Sequence, residues 1–138
     1  MRQSSPVSAI MSKNIIALTR TDNLERAEML FNKYRIKHIP VVSRDVVIGM
    51  LSYSDLLKIS LADTTQDLHN VDTVVYNAFS IEQVMTKDVE TINSETSIKE
   101  ATKILANRGF HALPVVDDGI LIGIVTTTDL LKYYLKQA

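Results

Sequence analysis

The 138-residue chain contains no cysteine. That absence excludes disulfides, thiol catalysis and thiolate metal sites, and it suits a reducing compartment, so a cytoplasmic location is expected. A long hydrophobic run is missing too. The longest uncharged apolar-rich stretch, Gly119 to Thr128, is about half of the roughly 20 residues that a spanning helix needs. Met1 to Pro6 lack the apolar run of a signal peptide. No membrane partner is expected. Nor does one sign of charge dominate, because 15 lysines and arginines face 16 acidic residues for a formal net charge of -1. The basic residues are spread among acids and leave no electrostatic footprint for nucleic acid, so any anionic ligand must be small and locally recognised. His38, His69 and His111 have no spacing that resembles a metal-ligand set. No nucleophile, base and orienting group recur together either, so an enzyme is not expected. The composition does support a core. With 46% apolar and 22% charged residues, the chain fits one compact domain that buries roughly two thirds of its unfolded surface.

The chain says nearly the same thing twice. Shifted by 74 positions, Ile10 to Lys58 falls without a gap on Val84 to Lys132, and 12 of the 49 aligned positions are identical. Among them are Met11/Met85, Pro40/Pro114, Gly49/Gly123 and Asp55/Asp129. Another 12 exchange one apolar residue for another, so the buried pattern repeats along with the letters. A repeat this long, present only twice, points to two half-domains on a pseudo-two-fold axis and away from a solenoid with a period of roughly 20 to 50 residues. Sites in such a module are expected at the seam.

Each copy reads as strand, helix, strand, strand, helix. Ile15 to Leu18 and Val89 to Ile92 are short apolar stretches without helical period, expected as first strands. Leu24, Ala27, Leu30, Phe31 and Tyr34 recur at helical spacing, as do Ile98, Ala101, Ile104 and Leu105. Asn23 and Ser97 stand at the expected N-caps, and Ser97 with Glu100 has the spacing of a capping box. Ile39 to Val42 and Leu113 to Val116 read as strands with proline near the start, and Asp118-Gly119 as a hairpin turn. Val46 to Leu51 and Ile120 to Val125 are nearly all apolar, as strands buried on both faces would be. Between the copies, Ser60 to Ser80 reads as a loop and a helical linker with Leu68, Val71, Val75 and Phe79 in step. Ser80 with Gln83 repeats the capping-box spacing and starts a short helix that corresponds to Val7 to Met11.

The ordered set of Val/Ile-Met-Ser/Thr-Lys, an amphipathic helix, Ile/Leu-Pro-Val-Val, and Gly-x-x-Ser/Thr-x-x-Asp-Leu-Leu occurs twice in register. It resembles the cystathionine β-synthase (CBS) domain, found as tandem pairs called Bateman modules, and the chain looks similar to small bacterial CBS proteins related to acetoin-utilisation regulators. The resemblance implies an α/β fold of the α+β kind, two pseudo-two-fold related β-α-β-β-α repeats. The expected divisions are repeat 1 at 7–62, a linker at 63–80 and repeat 2 at 81–138. It also implies regulation by an adenosine compound such as AMP, ADP, ATP or S-adenosylmethionine, bound in a cleft between the repeats. No cofactor is required for that role beyond the bound nucleotide itself.

In the family the motif aspartate accepts hydrogen bonds from the ribose hydroxyls, while the hydroxyl side chain and the helix N-terminus face phosphate. Here those residues are Ser52 with Asp55 and Thr126 with Asp129. A carboxylate can chelate a vicinal diol, and an open helix N-terminus offers unpaired N–H groups to an anion. The same spacing also matches a capping signal that needs no ligand, and from spacing alone the cap is the better reading. Both roles can alternate. The preferred site implied by the resemblance takes its adenine wall from Ile16, Ile36 and Ile124 and its polar end from His111, Thr126 and Asp129. The mirror-related second site would use Lys37, Met50, Ser52, Asp55, Glu90 and Phe110. Lysine favours an anion at all ordinary pH and histidine mainly when protonated. Glu90 departs from the apolar pattern: a carboxylate on the wall could bond an exocyclic amine, but more often it is a solvated charge that weakens the slot.

The last helix carries Leu130, Leu131, Tyr133, Tyr134 and Leu135 around most of its circumference, more than one buried face requires. With Leu56, Leu57 and Ile59 in the first copy, it is expected to pair two chains as a homodimer, as CBS modules resemble one another in doing. An effector protein would receive the signal. A ligand-free dimerisation or scaffold module is the alternative, with the seam merely packed.

Overall fold

A computed structural model describes residues 5–62 and 78–137, with 60–62 described by their backbone. Most of the expected linker therefore lies outside the described residues. The chain divides into two compact units, one formed by Met1–Ile15 with Glu90–Ala138 and the other by Ile16–Val89. Neither unit coincides with a sequence repeat, because the segment leading into each repeat belongs to the unit built on the other repeat's sheet.

In the Ile16–Val89 unit, helix α1 spans Leu24–Tyr34, strands β1 and β2 span His38–Ser43 and Val46–Ser52, helix α2 spans Tyr53–Ala62, and a short helix α3 spans Ile81–Val84. Leu24, Ala27, Leu30 and Phe31 form the buried face of α1, as their spacing demands, and pack with Leu18, Ile39, Val41, Leu51, Leu56, Ile81 and Met85. In the other unit a 3-10 turn, Val7–Ala9, precedes helix α4 (Ile98–Arg108), strands β3 (Ala112–Asp117) and β4 (Ile120–Thr126), and helix α5 (Thr127–Gln137). Its core joins Val7, Ile92, Ile98, Ala101, Leu105, Leu113, Val115, Val125 and Leu130.

The N-caps explain where the helices begin. The Asn23 side chain accepts from the Arg26 amide at 2.8 Å, and Ser97 accepts from the Glu100 amide at 3.0 Å. The Ser80/Gln83 capping box is complete, with bonds of 2.8 and 3.2 Å. For Ser97/Glu100, only the serine half of the expected box is made among the described residues. Arg35 and Gly109 end α1 and α4 in the left-handed region, where glycine carries no Cβ penalty and arginine does.

Each sheet has two antiparallel named strands, β1 with β2 and β3 with β4. Asp118 and Gly119 turn the second hairpin with φ of 52° and 81°, while Arg44 and Asp45 turn the first with 51° and 67°. Two positive φ values suit the twist of a tight hairpin. A register shift follows Val41 in β1 and Val115 in β3 at the same place in both copies. Two sequence expectations are corrected here. The segments Ile15 to Leu18 and Val89 to Ile92 are not strands; each contributes one parallel bridge, Leu18 to Val41 and Ile92 to Val115. Only one residue of each engages two backbone groups on its neighbour, at 2.8 and 2.9 Å for Leu18 and 2.7 and 3.1 Å for Ile92. The strands after the hairpins are not buried throughout either. Val46 and Ile120 are exposed beside their turns, and burial in β4 alternates.

The opposite sheet edges are closed by the exchanged segments. Ser12 bridges Ile124 on β4 with bonds of 2.9 and 3.1 Å, and Thr86 bridges Met50 on β2 with bonds of 2.8 and 3.0 Å. Closing an edge removes an unpaired backbone row that would otherwise template aggregation. The side chain before each bridge explains the repeated glycine. Met85 lies over Gly49 and Met11 over Gly123, so closely that a Cβ at either glycine would occupy thioether space. At Gly123 the Ser12 carbonyl oxygen would also stand 2.9 Å from that Cβ. In the same unit, Ser94 ties the approach to α4 onto the end of β3, donating to Asp117 from its hydroxyl at 2.6 Å and its amide at 3.0 Å. The hydroxyl bond first, then the amide bond, hold the Asp117 carboxyl below its ordinary value.

Because a methionine side chain can move and a backbone oxygen cannot do so cheaply, Gly123→Ala is expected to destabilise more than Gly49→Ala. Losses of about 1 to 3 kcal/mol are expected in urea unfolding. Equal losses, or a stable Gly123→Ala protein, would contradict this packing account.

Candidate functional site

In both units the second strand runs into its helix without a loop, Ser52 into Tyr53 and Thr126 into Thr127. The junction leaves the helix N-terminus beside the start of the preceding strand. The Tyr53 amide donates to the Lys37 carbonyl at 2.9 Å, and the Thr127 amide to the His111 carbonyl at 2.9 Å. Thr127 Oγ1 also donates to the His111 carbonyl at 3.4 Å. These bonds fix Lys37 and His111, each one residue before its strand, at a helix start. Cross-strand pairing of His38 with Ser52 and of Ala112 with Thr126 sets the same register in both copies.

The motif aspartates complete reciprocal capping boxes. Asp55 Oδ2 accepts from the Ser52 amide at 3.2 Å, while Ser52 Oγ accepts from the Asp55 amide at 3.0 Å. Asp129 Oδ2 accepts from the Thr126 amide at 2.9 Å, and Thr126 Oγ1 accepts from the Asp129 amide at 3.1 Å. The cap reading from the sequence is therefore realised in both copies. Both carboxylate bonds use Oδ2, and all four residues are only partly buried.

The preferred set divides between the units. Ile124, Thr126, Asp129 and His111 gather around the β4 to α5 junction, with Ile124 paired to Pro114 and bridged to Ser12. Ile16 and Ile36 belong to the other unit, where both pack against its apolar core. Of the second set, Lys37, Met50, Ser52 and Asp55 gather around the β2 to α2 junction, with Met50 buried and bridged to Thr86. Phe110 lies exposed one residue beyond the left-handed Gly109.

Glu90 keeps the partly solvated charge expected of it, with its side chain 28% exposed, and has in addition an ion-pair partner, Oε2 standing 3.1 Å from Arg108 Nη1. Oε2 is itself buried, and among the described residues the approach is too misaligned to count as a hydrogen bond. Sequence reasoning missed Arg108, whose place in the last turn of α4 gives no local sign of a partner 18 positions earlier. It also left the repeated methionine and glycine without a role, although their identity in both copies was a visible signal. Among the described residues no group of acids and histidines could hold a metal ion, and no helix is long and apolar enough to cross a membrane.

The CBS domain profile matches residues 7–62 and 81–136. An uncharacterized protein of Methanocaldococcus jannaschii, MJ1225, is 24% identical over 139 residues, a match covering 96% of this chain and 48% of that protein. A homoserine O-acetyltransferase of Methanosarcina acetivorans is 26% identical over 132 residues, covering 94% of this chain and 22% of the enzyme. The chain thus spans less than half the length of these curated relatives. Among solved structures, the CBS domain pair of protein MJ0100, in complex with 5'-methylthioadenosine and S-adenosyl-L-methionine, superposes with a TM-score of 0.83 at 24% identity, covering 99% of this chain and 100% of that one. CBSX2 in complex with AMP gives a TM-score of 0.79 at 22% identity, covering 96% and 98%. A Vibrio cholerae protein provisionally named for acetoin utilization, AcuB, gives 0.80 at 24% identity, covering 98% and 93%.

Removing either motif carboxylate takes away the reciprocal half of a capping box and leaves the Ser52 or Thr126 cap in place. Asp55→Ala and Asp129→Ala are each expected to lower stability by about 1 kcal/mol without any nucleotide present, read from urea midpoints at constant slope. Unchanged midpoints would show that the boxes do not hold the helix starts.

Proposed function

Because the chain belongs to the CBS-domain family, we propose that it is a regulatory, ligand-sensing module. It binds an adenosine-type compound, AMP, ADP, ATP or S-adenosylmethionine, in the cleft between its repeats and signals through a dimer or a partner protein. One observation carries this reading: the Thr126/Asp129 pair stands at a helix start whose first amide donates to the His111 carbonyl, which brings a carboxylate-, a hydroxyl- and an imidazole-bearing residue to one place on the backbone. A diol needs the first, and a phosphate is served by the other two and by the helix N-terminus. The complexes of the structural neighbours with AMP and with S-adenosyl-L-methionine support the ligand class.

For the preferred site we propose this polar end with Ile16, Ile36 and Ile124 as the apolar wall, on which a base would lie without desolvating a charge. The second site has Lys37, Met50, Ser52 and Asp55 at its polar end, with Glu90 and Phe110 on its wall. A ligand acts by favouring one arrangement of the module over another, and its differential affinity sets the size of the response. Homodimerisation through α2 and α5 belongs to the same reading. It is supported by Leu57, Leu131 and Leu135, which remain exposed at 42%, 61% and 75%. No catalytic step is assigned to the chain.

A thermal-shift screen with AMP, ADP, ATP and S-adenosylmethionine tests the proposal. A ligand at 100 times its dissociation constant adds about 2.7 kcal/mol, a rise of several degrees. Asp129→Ala should then weaken binding by about tenfold or more, and Asp55→Ala by less. No shift with any compound would favour the ligand-free scaffold, and equal or reversed losses would overturn the choice of site.

A further inference from the structure

The two proposed base walls are chemically unequal, and the difference lies within single units. Ile16 and Ile36 pack on the apolar core of theirs. Their counterparts 74 positions later are Glu90 and Phe110. Arg108, the ion-pair partner of Glu90, corresponds to Tyr34, so the first repeat has neither half of such a pair. We propose that the Glu90–Arg108 pair determines specificity by closing the second wall to an uncharged purine, leaving the chain with one adenosine ligand. This rests on the nucleotide-binding reading above.

Desolvation separates the two walls. The Glu90 side chain is 28% exposed and that of Arg108 59% exposed, so both charges still draw on water. A neutral ring laid against them removes that water and returns little, since a ring face offers no donor to a carboxylate. The exocyclic amine of adenine is a poor substitute, because Oε2 is buried at its contact with Arg108 and only Oε1 is left to accept, one bond in return for the water lost from both charges. The same ring on Ile16 and Ile36 covers only apolar carbon, which is favourable in proportion to the area removed from water. Opening the pair to admit a base would separate two partly desolvated charges, a further cost that the first wall never incurs.

Isothermal titration of the full chain with AMP, and separately with S-adenosylmethionine, tests the inference. One binding event per chain is expected for the unaltered protein. Glu90→Ile, and the double variant Glu90→Ile with Arg108→Tyr that reproduces the first repeat's residues, should add a second event within about tenfold of the first. The double variant also serves if the lone Arg108 prevents the single one from folding, with circular dichroism as the check. Two comparable events in the unaltered protein, or a single event in folded variants, would overturn the role of the pair. Loss of an event on Glu90→Ile would overturn it too, by making Glu90 a ligand contact. Absence of any event in the unaltered protein would instead remove the nucleotide reading, and this inference with it.

Discussion

A methionine laid across a glycine is the contact on which each unit depends. Two named strands make a sheet too small to be stable alone, and each sheet here acquires a further residue at both edges. Leu18 and Ile92 close one side from within their own repeats. Thr86 and Ser12 close the other from segments that sequence assigns to the opposite repeat. That second closure requires the incoming backbone to lie close to β2 or β4, and Met85 and Met11 fill the space that a side chain at Gly49 or Gly123 would take. The exchange links the two halves of the chain through connectivity, because each unit is completed by residues from the other repeat's leader.

The closed edges have a chemical consequence at the ends of β2 and β4. Met50 and Ile124, the bridged residues, stand two positions before Ser52 and Thr126. With the strand held on both sides up to that point, the chain passes directly into a helix. The first free amides of α2 and α5 then meet the carbonyls of Lys37 and His111. Hydroxyl, carboxylate and cation-bearing residues are thus brought together by backbone bonds, with little dependence on side-chain packing. The aspartate cap fits the same economy. Its Oδ2 accepts from the backbone amide of Ser52 or Thr126, which holds the carboxylate in a polar, partly open position.

Much of this was legible in the sequence because it is local or repeated. The faces of α1 and α4 follow from the spacing of Leu24, Ala27, Leu30 and Phe31 and of Ile98, Ala101 and Leu105, all of which are buried, while Ile104 is only partly buried and Tyr34, expected in the same stripe, is exposed. The Asp118-Gly119 turn and the Ser80/Gln83 box were equally visible, since each is decided by a few neighbouring residues. The first strands were not, because a four-residue apolar stretch cannot reveal whether a ladder continues beyond one bridge. The duplication marked Gly49 and Gly123 as significant, but their reason lies in methionines from distant segments. Glu90 was singled out as out of place. Its pairing depends on where the last turn of α4 points Arg108, which no periodicity encodes.

A purine resting on Ile16 and Ile36 would bring its ring protons within a few ångströms of their methyl groups. Intermolecular nuclear Overhauser effects, recorded on isoleucine-methyl-labelled protein with saturating AMP or S-adenosylmethionine, report that proximity. Cross-peaks from the adenine H2 and H8 protons to the Ile16 and Ile36 methyls are the predicted result. Binding that gives adenine cross-peaks to the Phe110 ring and none to these two isoleucines would contradict it.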